Sequence, residues 1–160
     1  MEKDNHEDHE RRTPLPQEHE EDPISRSALR VVSPLSPEEE RVMYRVIGSA
    51  IAVHRALGPG FLESIYQKAL CVEFKKRDLA YECERPLEVL YSGVPIPGQR
   101  IDLIVGGLII VELKAVAKFE EIHRAQLISY LRAAGLRGGL LINFRVRVLA
   151  QGGIRRVVLS

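Results

Sequence analysis

Two short aliphatic segments on either side of Gly106-Gly107 constrain the fold of this chain more than any other feature. Residues 100–105 and 109–115 are rich in Ile, Leu and Val, and they are too short for buried helices. A pair of glycines between two such segments is typical of a β-hairpin. The sequence therefore predicts a hairpin, and it places a β-sheet in the core.

Helical and strand-like segments surround this hairpin. Ser36-Pro37 followed by three glutamates predicts a helix start, because Ser caps a helix, Pro suits its first position and acidic residues complement its dipole. Gly58-Pro59-Gly60 ends that helix. The other predicted elements are a helix from about 62 to 77, a strand over 86–91, a Pro/Gly loop over 92–98, a helix over 119–134, a doubly buried strand over 138–144, and a strand over 155–159. The predicted fold class is α/β, with a mixed β-sheet flanked by helices in the order α-α-β-β-β-α-β-β.

Residues 1–35 differ in composition from the rest of the chain. They carry five basic and nine acidic residues, a balance of −4, whereas residues 36–160 carry 18 basic and 13 acidic residues, a balance of +5. The first stretch contains Pro14, Pro16, Pro23 and Pro34 and has no periodic apolar face that would offset the entropy lost on ordering. We predict a disordered acidic tail over 1–35 and one folded domain over 36–160.

Composition also excludes several classes of protein. No apolar run approaches the ~20 residues that span a bilayer, and the first residues, MEKDNHEDHERR, lack the apolar stretch of a signal peptide. The sequence therefore predicts a cytoplasmic protein with no membrane partner. Cys71 and Cys83 are too few for a disulfide scaffold and lack metal-ligand spacing, so we expect neither to carry the function.

Three charged residues interrupt the aliphatic hairpin. Asp102 lies in the middle of the first segment, and Glu112 and Lys114 lie two apart in the second, which places them on one face of a strand. A buried charge is costly unless it is paired or metal-bound. One interpretation is a Glu112–Lys114 ion pair on a solvated edge, with Asp102 at the surface.

The other interpretation is a hydrolytic site. Two carboxylates can hold Mg²⁺, which prefers oxygen ligands, and the metal polarises a phosphate and acidifies a water molecule. A lysine adds positive charge where negative charge develops. This interpretation has a geometric requirement. A two-residue turn at Gly106-Gly107 would put Asp102 and Glu112 on opposite faces. A three-residue loop or one bulge restores them to one face, and a loop over 106–108 sets them directly opposite each other.

The same residues resemble a known family. Asp102…Glu112-x-Lys114 resembles the signature of the PD-(D/E)XK nuclease superfamily, with Ile101 in place of the proline. The wider sequence over about 38–160 resembles, within it, the bacterial GxxExxY protein family. The matching stretches are 53–66, which contains Gly60-x-x-Glu63-x-x-Tyr66, and 101–103, 110–116, 126–131 and 141–144. The resemblance implies a restriction-endonuclease-like core and a Mg²⁺- or Mn²⁺-dependent nuclease, with DNA as the expected nucleic-acid partner.

The resemblance also implies roles for individual residues. Glu63, Asp102 and Glu112 would bind the metal, and Lys114 would assist the attack of water. Gln126 and Tyr130, four apart on a helix, match the Gln-x-x-x-Tyr element of RecB-type members, where they would orient the active site or contact DNA.

Structural roles compete with these assignments. Glu63 suits the first turn of any helix, Tyr130 suits a core, and a lone helical histidine such as His54 is more often structural. For the whole protein, the competing hypothesis is a non-catalytic nucleic-acid-binding or protein-interaction module on the same fold. The intact Asp/Glu/Lys set favours the enzyme.

Overall fold

The computed structural model describes residues 33–160, so most of the predicted acidic tail lies outside the described residues. Of that predicted tail, Leu35 is buried in the core. The elements are α1 Pro37–Leu57, α2 Glu63–Lys76, β1 Tyr81–Tyr91, β2 Val94–Val105, β3 Ile109–Lys114, α3 Glu121–Ala134, β4 Gly138–Asn143 and β5 Ile154–Val158. Their order is the predicted one.

The five strands form one mixed sheet in the order β1-β2-β3-β4-β5. Strand β3 pairs with β4 in parallel, through the crossover helix α3, and the other neighbours are antiparallel. Helices α1 and α2 cover one face of the sheet, where Leu103 and Val111 are buried. Helix α3 covers the other face, where Ile104 and Ile110 are buried. The predicted α/β fold class is confirmed.

The predicted start of the first helix is also confirmed. The Ser36 hydroxyl accepts a hydrogen bond from the Glu39 N–H at 3.1 Å, and the Glu39 carboxylate accepts one from the Ser36 N–H at 2.6 Å. This reciprocal pair satisfies two donors that a helix start leaves free. Gly58 ends α1 at φ 69°, a left-handed conformation that favours glycine.

The predicted loop over residues 92–98 is wrong. Strands β1 and β2 continue to a two-residue turn at Ser92-Gly93, where Tyr91 pairs with Val94 and both turn residues have positive φ. The prolines at 95 and 97 suggested a loop because they cannot donate to a sheet ladder. They are tolerated because β2 pairs with β3 only over Leu103–Val105, so this part of β2 has a neighbour on one side alone.

The β2–β3 hairpin has a three-residue loop, which is one of the two arrangements that the hydrolytic interpretation allows. Val105 pairs with Ile109 across Gly106, Gly107 and Leu108, and the two glycines adopt φ 62° and 67°. The regular pairing ends at Leu103 and Val111, one residue before the charged positions. Among residues 33–160, no helix is both long and apolar enough to cross a membrane.

Candidate active site

Asp102 and Glu112 face each other where the β2–β3 ladder ends. The Asp102 N–H donates to the Glu112 carboxylate at 3.1 Å, and the Leu113 N–H donates to the Asp102 carboxylate at 2.9 Å. Side-chain oxygens therefore replace the backbone carbonyls that would continue a regular ladder. Because each carboxylate is held by a backbone donor of the opposite strand, their relative position is fixed by the fold.

Glu112 is a buried carboxyl group beside another acid. Its side chain is only 3% exposed, and β3 is the middle strand of the sheet. Burial, followed by the charge of Asp102, raises the pKa of Glu112 to about 8. The solvated-edge interpretation of this residue is therefore wrong. The fold places two acids together, and in the metal-free protein Glu112 keeps its proton to a higher pH than an ordinary carboxyl group does.

Lys114 begins a chain of polar side chains that runs along α3. Its ammonium group donates to Gln126 Oε1 at 3.0 Å, and Gln126 Nε2 donates to the Tyr130 hydroxyl at 2.8 Å. Gln99 on β2 also donates to that hydroxyl. Burial and the charge of Glu112 raise the pKa of Tyr130, so this hydroxyl stays protonated beside the acids. The structure thus joins Lys114, Gln126 and Tyr130 in one network.

The Gly60-x-x-Glu63-x-x-Tyr66 stretch sets where α2 begins. Tyr66 is fully buried, and its ring stacks on Phe144 with centroids 4.3 Å apart. Its hydroxyl donates to the Gly58 carbonyl and accepts from the Phe61 N–H at 3.2 Å. Tyr66 therefore anchors the loop that precedes α2, and Glu63 is the first residue of that helix.

Glu63 lies at the edge of the site rather than at its centre. Its side chain is exposed, and it lines a cleft together with Ala115 and Arg145. Desolvation by the surrounding protein raises its pKa, while the nearby Lys114 charge opposes that effect. Across residues 33–160, no three His, Cys, Asp or Glu side chains converge closely enough to hold one metal ion. The structure brings Asp102 and Glu112 together, and Glu63 lies near enough for the Asp102 charge to raise its pKa but does not complete a three-ligand cluster.

Three polar residues of the site were not predicted as site residues, although Asn143 lies in one of the stretches that carry the family resemblance. Gln67 donates to the Asp102 carbonyl at 3.2 Å, and Gln99 contacts Tyr130. Asn143, the partner of Lys114 in the parallel β3–β4 register, holds the chain after Lys114 by bonding both the N–H and the carbonyl of Val116. Each contact joins different elements, so it becomes visible only once the chain is folded.

His54 has the structural role expected of it. It is buried, and its Nε2–H donates to the Val146 carbonyl at 2.8 Å. Its ring lies 6.1 Å from that of Phe144. It therefore fixes the loop after β4 against α1 and contacts neither acid of the site.

The donor set suits a hard divalent cation. Mg²⁺ and Mn²⁺ bind oxygen ligands, and Mg²⁺ usually takes only one or two protein carboxylates with water completing the shell. Asp102 and Glu112 supply such a pair, and their mutual repulsion is what a cation would relieve. The residues present therefore fit the metal that the family resemblance implies.

Comparison with known proteins identifies the class. Residues 40–157 match the family model described as PD-(D/E)XK nuclease superfamily, and the chain belongs to that superfamily. The crystal structure of SSO0001 is 22% identical in sequence over 76% of this chain, with a TM-score of 0.44. The chain spans 63% of the length of that protein. No curated protein matches the sequence.

Proposed function

We propose that this protein is a Mg²⁺- or Mn²⁺-dependent nuclease that hydrolyses phosphodiester bonds in DNA. The observation that carries the proposal is the apposition of Asp102 and buried Glu112 at the open end of the hairpin, with Lys114 beside them. A fold rarely retains two facing acids, because like charges directly opposite each other are destabilising. A cation that binds between them accounts for their position.

Asp102 and Glu112 would hold the metal, and Glu63, at the edge of the cleft, would be a further carboxylate for it. When bound, the metal supplies charge neutralisation at the phosphate and acidification of a water molecule. The backbone donors at Asp102 and Leu113 keep both carboxylates in place without using all of their oxygen lone pairs. Free acceptor sites therefore remain for a ligand.

Lys114 would stabilise the negative charge that develops at the attacked phosphate. Lysine has three donors, and one of them is satisfied by Gln126 at 3.0 Å, which fixes the direction of the side chain. Gln126 is itself oriented by the Tyr130 hydroxyl. In this proposal Gln126 and Tyr130 are positioning residues that act through Lys114.

Arg145 would contact a substrate phosphate next to the one that is cleaved. It lines the same cleft as Glu63 and Ala115, and its backbone is held by Asn143 at 3.1 Å. Other arginines of the C-terminal region lie elsewhere: Arg155 lies over the Phe119 ring, Arg156 pairs with Glu40, and Arg147 lines a different cleft beside His54. These contacts support Arg145 as the cation available at the cleft.

The role of Tyr66 supports placing the chain in the GxxExxY family. In that family's motif the tyrosine would hold the loop before α2, the glutamate would face the site, and the glycine would permit the turn. Gly60 has φ 117°, which side-chain-bearing residues rarely adopt. The motif thus has a physical reason to occur as a unit.

A cleavage assay tests the proposal. Single- and double-stranded DNA and RNA are incubated with the protein and Mg²⁺ or Mn²⁺, beside a Lys114→Ala variant. We expect cleavage of DNA by the wild type, dependence on the metal, and loss of cleavage in the variant. If no nucleic acid is cut while the protein still binds DNA, the non-catalytic binding module becomes the better hypothesis.

A further inference from the structure

The two cysteines of the chain meet, although they are distant in sequence. Cys71 is on α2 and Cys83 is on β1, and their sulfur atoms are 2.8 Å apart in a thiol–thiol hydrogen bond. Both are free thiols, and Cys83 is exposed while Cys71 is half-buried. The sequence gives no reason to pair them, because the contact depends on how α2 packs on the sheet.

The packing of α2 against the sheet holds the two sulfurs together. One turn before Cys71, Gln67 donates to the Glu84 carboxylate at 3.0 Å and to the Asp102 carbonyl at 3.2 Å. Glu84 directly follows Cys83. The thiol pair therefore lies beside a second α2–sheet contact, and the two elements cannot separate at Cys83 without breaking both.

We propose that Cys71 and Cys83 are a redox-modification site, which a hydroperoxide converts into a reversible intramolecular disulfide. The Cys83 sulfur attacks the peroxide, forming an S–O bond while the O–O bond breaks and water or an alcohol leaves. The Cys71 sulfur then attacks the Cys83 sulfur, forming the S–S bond while the S–O bond breaks and water leaves with the Cys71 proton. Two thiols lose two electrons in total, and the peroxide gains them.

The environments of the two sulfurs fit this order of events. Cys83 is reached from solvent through an open surface depression that Lys68, Val72 and Lys75 also line. Burial, followed by the hydrogen bond to Cys83, raises the pKa of Cys71 to about 12. Cys71 therefore stays protonated until the exposed sulfur has reacted, and it is already in contact with that sulfur.

The disulfide would tie α2 to β1 without chemically altering the proposed active site. It would close a short loop between residues 71 and 83, and a cross-link of this kind stabilises mainly by restricting the unfolded chain. We expect oxidation to raise the Tm of the full chain by about 5–10 °C. In a reducing compartment the thiol form would persist until an oxidant appears.

The experiment treats the full chain with hydrogen peroxide at a few equivalents and measures its intact mass, its free thiols and its Tm. Because the chain has two cysteines, we expect the thiol count to fall from two to zero. The mass of the monomer should fall by about 2 Da, and dithiothreitol should restore both values. Peptide mapping should show the peptide of Cys71 linked to that of Cys83.

A matched single variant provides the control. In Cys71→Ser the resolving thiol is gone, so peroxide should add oxygen to Cys83 or join two chains through it, with no gain in Tm. The proposal would be overturned if the wild type behaved like this variant, either gaining oxygen mass at Cys83 or forming a linked dimer. It would also be overturned if both thiols of the wild type stayed reduced at a peroxide concentration that oxidises Cys83 in the Cys71→Ser variant.

Discussion

The two ends of the β2–β3 hairpin differ in what they do for the molecule. At the turn end, Val105 and Ile109 are fully buried and pair in a regular ladder. At the open end, the same two strands carry Asp102, Glu112 and Lys114. Hydrogen bonds from backbone N–H groups to the two carboxylates replace those of the ladder. One end therefore stabilises the fold, and the other gives up stability to bring charges together.

The two ends differ in whether the side chains that they bury are apolar or acidic. An aliphatic side chain that becomes buried contributes roughly 1.5–3 kcal/mol, whereas a buried carboxylate beside another acid lowers stability unless a cation is present. The turn end anchors the sheet, so it can hold the open end in an arrangement that the acids alone would not favour. If the two ends have separate roles, mutations at the open end should change cleavage and mutations at the turn end should change stability.

The largest expected effect is on activity at the open end. Asp102→Asn and Glu112→Gln should each reduce cleavage to the assay background, because each removes a carboxylate charge that would bind the metal. Both amides keep the oxygen that accepts the backbone hydrogen bond. The metal-free variants should therefore be as stable as the wild type or more stable. A large loss of stability in urea melts would instead indicate a structural role for these acids.

Lys114→Ala should lower kcat by about 10²- to 10³-fold, because it removes the positive charge from the attacked phosphate. The exposed Lys118, four residues later, is the matched control, and Lys118→Ala should change kcat less than threefold by the same assay. Equal losses in the two variants would mean that general positive charge, rather than the position of Lys114, supports cleavage.

A mutation at the turn end should lower the stability of the protein rather than its activity. Ile109→Ala removes a fully buried side chain from the core next to α1 and α2, so it should lower the free energy of unfolding by about 2–5 kcal/mol. The kcat of the folded fraction should stay within about threefold of wild type. Urea denaturation and cleavage measured on the same sample separate the two quantities, and a loss of kcat comparable to that of Lys114→Ala would contradict the separation.

The pH dependence of stability should report Glu112 in the metal-free protein. Its pKa is raised from 4.5 to about 8, so between these values the folded state keeps a proton that the unfolded state releases. Stability is therefore highest at the acid side of this window and should fall, by up to about 1.4 kcal/mol per pH unit, as the pH rises toward 8. Urea melts with a chelator present measure the slope. Glu112→Gln should flatten it, and an unchanged slope in that variant would assign it to another group.

The smallest effect should come from the positioning residues. Gln126→Ala frees the Lys114 ammonium, and Tyr130→Phe frees Gln126, so kcat should fall about tenfold and about threefold respectively. The affinity for the metal should stay unchanged in both, as measured by calorimetric titration. A larger effect of Tyr130→Phe than of Gln126→Ala would indicate that the hydroxyl contacts the substrate directly.

The same contrast explains how much of the molecule the sequence predicts. Ser36 and Gly58 bound α1 as expected, and the aliphatic segments on both sides of Gly106 give the hairpin, because caps and periodicity are local properties of the chain. The prediction of a loop over 92–98 is wrong because it rests on the prolines alone. Whether a strand can contain a proline depends on whether another strand pairs with it at that position. Strand pairing is a property of the fold.

The site divides in the same way. The sequence alone identifies Asp102, Glu112 and Lys114, because these charged residues interrupt aliphatic strands. Gln67 and Gln99 do not stand out, because a glutamine is unremarkable in a helix or strand until its distant partner is known. Glu63 is conspicuous only through its motif, and its position at the edge of the cleft depends on how Tyr66 anchors the preceding loop.

The most direct test of the central claim, that the open end of the hairpin is a divalent-cation site, is a set of thermal melts with and without Mg²⁺ or Mn²⁺. A cation that binds only the folded protein should stabilise the wild type by about 2.7 kcal/mol at a hundredfold excess over Kd. The Tm should therefore rise by several degrees in the wild type and stay unchanged in Asp102→Asn and Glu112→Gln. A wild-type Tm that does not move at millimolar metal, or an equal rise in all three proteins, would contradict the account.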